Sequence, residues 1–89
     1  MKAIVTVIGK DKVGIISTVS NIMASNGINI LDLSQTVMQN YFTMIMLVDM
    51  SGCEMPFADV SSLLKDAGKD IGLDIRIQRE DIFEAMHRI

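Results

Sequence analysis

The sequence predicts a single α+β domain, a ferredoxin-like βαββαβ sandwich whose antiparallel sheet has the order 4-1-3-2. A short C-terminal helix is expected to follow it. Three observations carry that expectation. The apolar residues alternate between a two-residue period and a three-to-four-residue period in the order strand, helix, strand, strand, helix, strand. Gly27 and Gly72 each stand where a helical pattern stops. The first and third strands are apolar on both faces and the fourth on one face only, which suits two central strands and a half-solvated edge. At 89 residues the chain is one domain, read here as residues 1–89 with the terminal helix over 80–89.

Each element has its own reason. Residues 2–9 are β-branched and bounded by Gly9, the mark of a strand. Residues 10–14 form a polar turn closed by Gly14. From Ile15 the spacing of Ile15, Ile16, Val19, Ile22 and Met23 is helical, and Asn26-Gly27 ends the helix. Ile28 to about Gln39 reads as a second strand whose parity slips after Ile30, as a bulge near that residue would make it do. Gln39-Asn40 is a tight turn into a third strand, Tyr41 to Met50, so the two form a hairpin. Pro56 suits the first position of a second helix. Phe57, Val60, Leu64, Ala67 and Ile71 mark its buried stripe. Leu73 to Arg79 alternates strictly as the fourth strand. Asp81 and Glu84 have capping-box spacing ahead of Ile82, Phe83, Met86 and Ile89.

Composition narrows the function. The chain is 49% apolar and 21% charged, more apolar than one small sheet with two helices can hide, so part of that surface should meet a ligand or another chain. A formal net charge of −3 lacks the field that gathers a phosphate backbone, which argues against nucleic acid. One cysteine, Cys53, makes no intrachain disulfide. The apolar run from Ala3 to Ile8 is too short for a signal-peptide core, and no stretch approaches a membrane span. A cytoplasmic protein that does not engage membrane is therefore expected.

Chemistry is sparse. A metallochaperone on this scaffold needs a Cys-x-x-Cys pair, and an acylphosphatase needs an arginine in the first loop, whereas the first arginine here is Arg76. An RNA-recognition domain needs stacking aromatics on strands one and three, and strand one has none. His87 lies beside Arg88 near the C-terminus, where a solvated imidazole suits a helix end. Ser17, Thr18 and Ser20 have no histidine near them in sequence. No catalytic constellation emerges, and no cofactor or metal is expected. The eight methionines read as core filler.

Two places remain. Between Gly9 and Ile16 a glycine-bounded loop enters a helix and leaves the first amides of that helix free to meet an anion. Lys10 and Lys12 add positive charge, and Asp11 is an acceptor for an ammonium group, so the loop suits an α-amino acid. The same residues also suit a purely structural turn. Asn29, at the start of strand two, either satisfies loop backbone or reaches a ligand beside the first helix.

Gly9-Lys10-Asp11-Lys12-Val13-Gly14-Ile15-Ile16, followed by Gly27-Ile28-Asn29-Ile30, resembles the ACT-domain signature, a G-x-D-[RK]-x-G-I turn and a G-[IV]-N-I helix exit. The variety it is most similar to is that of glycine-cleavage repressor-like proteins and of the start of formyltetrahydrofolate deformylases. Over nearly its whole length the chain resembles the small stand-alone ACT proteins of bacteria and archaea. The pattern departs at Gly9, which lacks a side chain some amino-acid binders place there, and at Val13, where proline is frequent. The resemblance implies allosteric sensing of an amino acid or similar small ligand, and a homodimer joined through helix one and strand two. It implies ligand contacts from Asp11, Val13, Gly14 and Ile15, with Asn29 from the same or the neighbouring chain. A stand-alone sensor implies a separate partner enzyme or regulator. The alternative is a protein-interaction module that binds no small molecule.

Overall fold

The computed structural model describes residues 1–10 and 13–81. Its elements are β1 (Lys2–Lys10), α1 (Ile15–Ser25), β2 (Asn29–Met38), β3 (Tyr41–Asp49), α2 (Phe57–Asp70) and β4 (Leu73–Arg79), in one sheet of order β2-β3-β1-β4 with every neighbour antiparallel. That is the expected topology. The expected C-terminal helix, His87, Asp11 and Lys12 fall wholly or largely outside the described residues.

Both helices cover one face of the sheet. Ala3, Val5 and Val7 of β1, Phe42, Met44, Met46 and Val48 of β3, and Leu73, Ile75 and Ile77 of β4 meet Ile15, Val19 and Met23 of α1 and Val60 and Leu64 of α2 in one core. Met23, Met44 and Met46 are completely buried, as filler methionines should be. Ile16, counted from its spacing as part of the apolar stripe of α1, is instead exposed, because an eleven-residue helix on this sheet buries only the narrow row Ile15, Val19, Met23.

Helix α1 ends in a Schellman motif. The Gly27 amide donates to the Ala24 carbonyl at 3.2 Å and the Ile28 amide to the Met23 carbonyl at 2.9 Å, with Gly27 at φ 71°. Gly27 also lies against the Gly52 backbone so closely that a Cβ would strike its carbonyl oxygen. Helix α2 starts one residue later than the sequence suggests. Pro56 keeps an extended ψ of 148° and caps the helix from outside, its carbonyl accepting from Asp59 and Val60 at 3.0 and 3.1 Å. The buried row of α2 is Val60, Leu64 and Gly68 rather than a stripe through Ala67. A row stepping by four with a glycine in it reflects a close helix–strand approach: a Cβ on Gly68 would lie 2.6 Å from the Leu73 carbonyl oxygen.

The hairpin pairs Met38 with Tyr41 across the two-residue turn Gln39-Asn40, and Gln39 takes φ 57°. The β2–β3 register shifts between Ile30 and Asp32, leaving Leu31 as the extra residue. The bulge is where the parity slip pointed. Beyond it, Leu33, Gln35 and Val37 share the helix-side face with Met46, Met44 and Phe42.

At the other end of the sheet Asp49 accepts hydrogen bonds from the Ser51 hydroxyl at 2.6 Å and the Ser51 amide at 2.9 Å. These bonds, the hydroxyl first, hold its carboxyl below its ordinary range, with the charges of the amino terminus and Lys2 acting in the same direction. A carboxylate whose folded pKa is depressed contributes stability above its unfolded pKa and loses it as pH falls through the folded one. Ser51→Ala is accordingly expected to raise the Asp49 titration midpoint. Following the Asp49 side-chain carbon by NMR between about pH 2 and 6 checks this, and an unchanged midpoint would assign the shift elsewhere.

Candidate functional site

The loop after β1 delivers the chain to α1 through Gly14, whose φ of 90° and ψ of 5° are left-handed. Gly14, the N-cap residue, has no side chain with which to cap this helix, and the first turn carries no acidic residue. The amides of the first turn, which lack carbonyl partners within the helix, lie at the positive end of the helix dipole, where an anion is favoured. A Cβ on Gly14 would meet nothing within 4 Å, so the space above it is open.

Two hollows flank that glycine. One, of about 510 Å³, is bounded by Gly14, Ile15, Ile16 and Ser17 at the helix start, by Gln35 and Val37 on β2, and by Phe42 on β3. The other, of about 230 Å³, lies on the opposite side between Val13, Ile15, Thr18 and the Asp70-Ile71 end of α2. The larger one combines helix-start amides, one hydroxyl and one carboxamide with an apolar floor. That mixture suits a small zwitterion with an aliphatic portion.

The residues singled out from the sequence fare unequally. Val13 is fully exposed, Gly14 lies on the rim of both hollows, and Ile15 is buried with its flank in each. Asp11 falls outside the described residues. Asn29 is exposed at the far end of the sheet: it pairs with Asp49, which pairs with Lys2, whereas Gly14 follows Lys10 at the other end of β1. The eleven residues of α1, about 16 Å of helix, separate the two. One chain therefore does not bring Asn29 to the Gly14 loop.

Ser17, Gln35, Val37 and Phe42 were not singled out as ligand contacts. Their signal was partly present, because the slip at Ile30 already implied that Gln35 and Val37 turn toward the helices. What the pattern lacked was the distance between β2 and α1, which leaves this side of β2 uncovered. Leu33 and Val37 are 43% and 52% exposed although they lie on the core face. Among the described residues no group of three potential metal ligands occurs, and no helix is long and apolar enough to cross a membrane.

Comparison with known proteins agrees with this architecture. The family described as "ACT domain" matches residues 2–78. A UPF0237 protein of Clostridium acetobutylicum is 58% identical over 89 residues, covering 100% of both chains. The solved structure of an ACT domain protein from Streptococcus pneumoniae superposes with a TM-score of 0.84 at 44% identity, covering 98% of each chain. A formyltetrahydrofolate deformylase from Pseudomonas syringae shares the fold alone, with a TM-score of 0.79 at 21% identity. That match covers 88% of this chain and 27% of the deformylase.

Proposed function

This chain belongs to the ACT-domain family, and on that premise we propose that it is an amino-acid sensor that works as a homodimer on a separate partner and catalyses no reaction itself. ACT domains are regulatory domains that typically bind amino acids. The observation that carries the reading is the 510 Å³ hollow at the glycine-led start of α1. A ligand carboxylate meets the helix amides there, Ser17 and Gln35 offer polar contacts, and Val37 and Phe42 face its side chain. Val13, Gly14 and Ile15 form the rim in this reading, and Asp11 receives the ammonium group.

The dimer completes the site. β2 ends the sheet, and its exposed Leu31, Leu33, Val37 and Met38 leave an apolar edge. A two-fold axis through that edge runs the two β2 strands antiparallel, so the Asn29 end of one chain lies beside the Met38 end of its mate. Asn29 then serves the neighbouring chain's hollow, which accounts for its distance from Gly14 within one chain.

The test is a thermal-shift screen against the amino acids at about millimolar concentration, followed by Asn29→Ala and Asp11→Ala. A ligand at 100 times its Kd stabilises by about 2.7 kcal/mol, several degrees in a domain of this size. One amino acid or a related few are expected to shift the midpoint, and each variant to weaken that shift without altering the ligand-free midpoint. No shift with any amino acid would favour the second reading, an interaction module without a small ligand. That reading draws on Ile8 and Ile45, which stand 45% and 44% exposed on the helix-free face of the sheet.

A further inference from the structure

We propose that the chain's own C-terminal segment, residues 82–89, docks across the helix-free face of the sheet over Ile4 and Leu47 and closes that face as a third layer. The α1 hollow lies on the other face, so this docking is independent of any ligand there.

Strand alternation prepares the surface. Ala3, Val5 and Val7 of β1 are buried beneath the helices, so Ile4, Thr6 and Ile8 project from the opposite face, with Ile45 and Leu47 beside them on β3. The register sets Gln78, Ile4, Leu47 and Asp32 side by side in one row across all four strands. Ile4 and Leu47 are only half-buried, and Ile45 is exposed. With Asp32, Leu33 and Ser34 of β2 they bound a shallow hollow of about 150 Å³. The result is a narrow apolar strip on the two central strands, polar at both sides.

The position and length of the segment select it as the occupant. β4 delivers the chain to one end of the row, since Gln78 pairs with Ile4 and Arg79 with Ala3. Glu80 and Asp81, the last described residues, already turn as a helix. Continued to residue 89, that helix would extend about 15 Å. Neighbouring strands stand about 4.8 Å apart, so β4 to β2 is about 14 Å. The two spacings coincide along the way. Phe83 falls about 4.5 Å along the helix, at β1 and Ile4, and Met86 about 9 Å along, at β3 and Leu47. Ile82, Phe83, Met86 and Ile89 share one side of such a helix, within about 120°. Charge runs in the same sense: Glu80 and Asp81 start beside Arg79, and His87 and Arg88 end toward Asp32. Tethering favours this segment over a second copy. Its effective concentration at the row is about millimolar or more at any protein concentration, whereas a second copy must give up its translational freedom to bind.

The test is methyl NMR on the full-length protein. Nuclear Overhauser contacts are expected from the Met86 methyl to the methyls of Ile4 and Leu47. The amides of residues 84–88 are expected to exchange at least about tenfold more slowly than in an unstructured chain. Met86→Asp should abolish both signals while the amides of β1 and β3 keep their protection. Thr36→Asp, on the same face but outside the row, should leave both unchanged. A mixture of two differently labelled populations separates a chain's own segment from that of a second copy. Absence of contact between Met86 and either Ile4 or Leu47 would overturn the proposal. So would contacts seen only between differently labelled chains, or unprotected exchange throughout residues 84–88.

Discussion

Gly68→Val is expected to lower stability by about 3 kcal/mol, read as a drop in the denaturant midpoint at unchanged slope. The position is in the last turn of α2, two residues before its end at Asp70, and glycine has a poorer helix propensity there than any residue but proline. Valine there improves intrinsic helix propensity by a few tenths of a kcal/mol, and alanine by about 1 kcal/mol. Packing opposes that gain. The new Cβ would lie 2.6 Å from the Leu73 carbonyl oxygen and 3.1 Å from the Ile75 side chain. A backbone oxygen in a paired strand does not swing aside as a side chain does, so α2 must lift from β4 and loosen the contacts of Leu64 and Val60. Gly68→Ala is the finer measurement. If the approach is as close as described, alanine also destabilises, and a stabilised alanine variant would show that the helix stands further off. Val is expected to be the worse of the two.

Met46→Ala carries the second large effect, about 3 kcal/mol and roughly 10–20 °C in melting temperature. Met46 is completely buried at the centre of β3, between β1 and β2, opposite Val5 on one side and Leu33 on the other. Truncation removes most of an apolar side chain and leaves a cavity in the core between the sheet and the two helices. Met46→Leu supplies the control. It conserves volume and is expected to cost less than about 1.5 kcal/mol. Equal losses for alanine and leucine would mean that shape at this position outweighs volume. A loss under about 1 kcal/mol for alanine would mean that the core closes over the gap. In a domain of this size either large loss is a substantial fraction of total stability.

The fold was legible because its signals are local and repeat within each element. Strand alternation, the helical spacing of Ile15, Val19 and Met23, the glycine stops at Gly27 and Gly72, and the slip after Ile30 all depend on residues a few positions apart. The sheet order followed from the expected fold, and the apolar residues on both faces of β1 and β3 and on one face of β4 agreed with it. The same reasoning erred where an element's depth of contact mattered. Ile16 has core spacing but faces out, and Ala67 yields its place in the buried row to Gly68, because no periodicity reports how closely a helix approaches a strand.

The loop at Gly14 was legible as a backbone feature: a glycine ahead of an apolar helix, with no capping side chain, is written in consecutive residues. Ser17, Gln35, Val37 and Phe42 come from three elements, and they line one hollow only because the bulge at Leu31 turns β2 and α1 leaves its core face bare. Asn29 shows the opposite case. The sequence placed it in the same motif as Gly14, and the register sets them at opposite ends of the sheet. By itself, then, the sequence determined the element order, the turns, the bulge and the helix stops, all consequences of short-range stereochemistry and burial period. Tertiary structure alone decided which residues share a hollow and how near Gly68 comes to Leu73. Those depend on distances between elements far apart in the chain, and those distances follow from the packing of all the side chains at once.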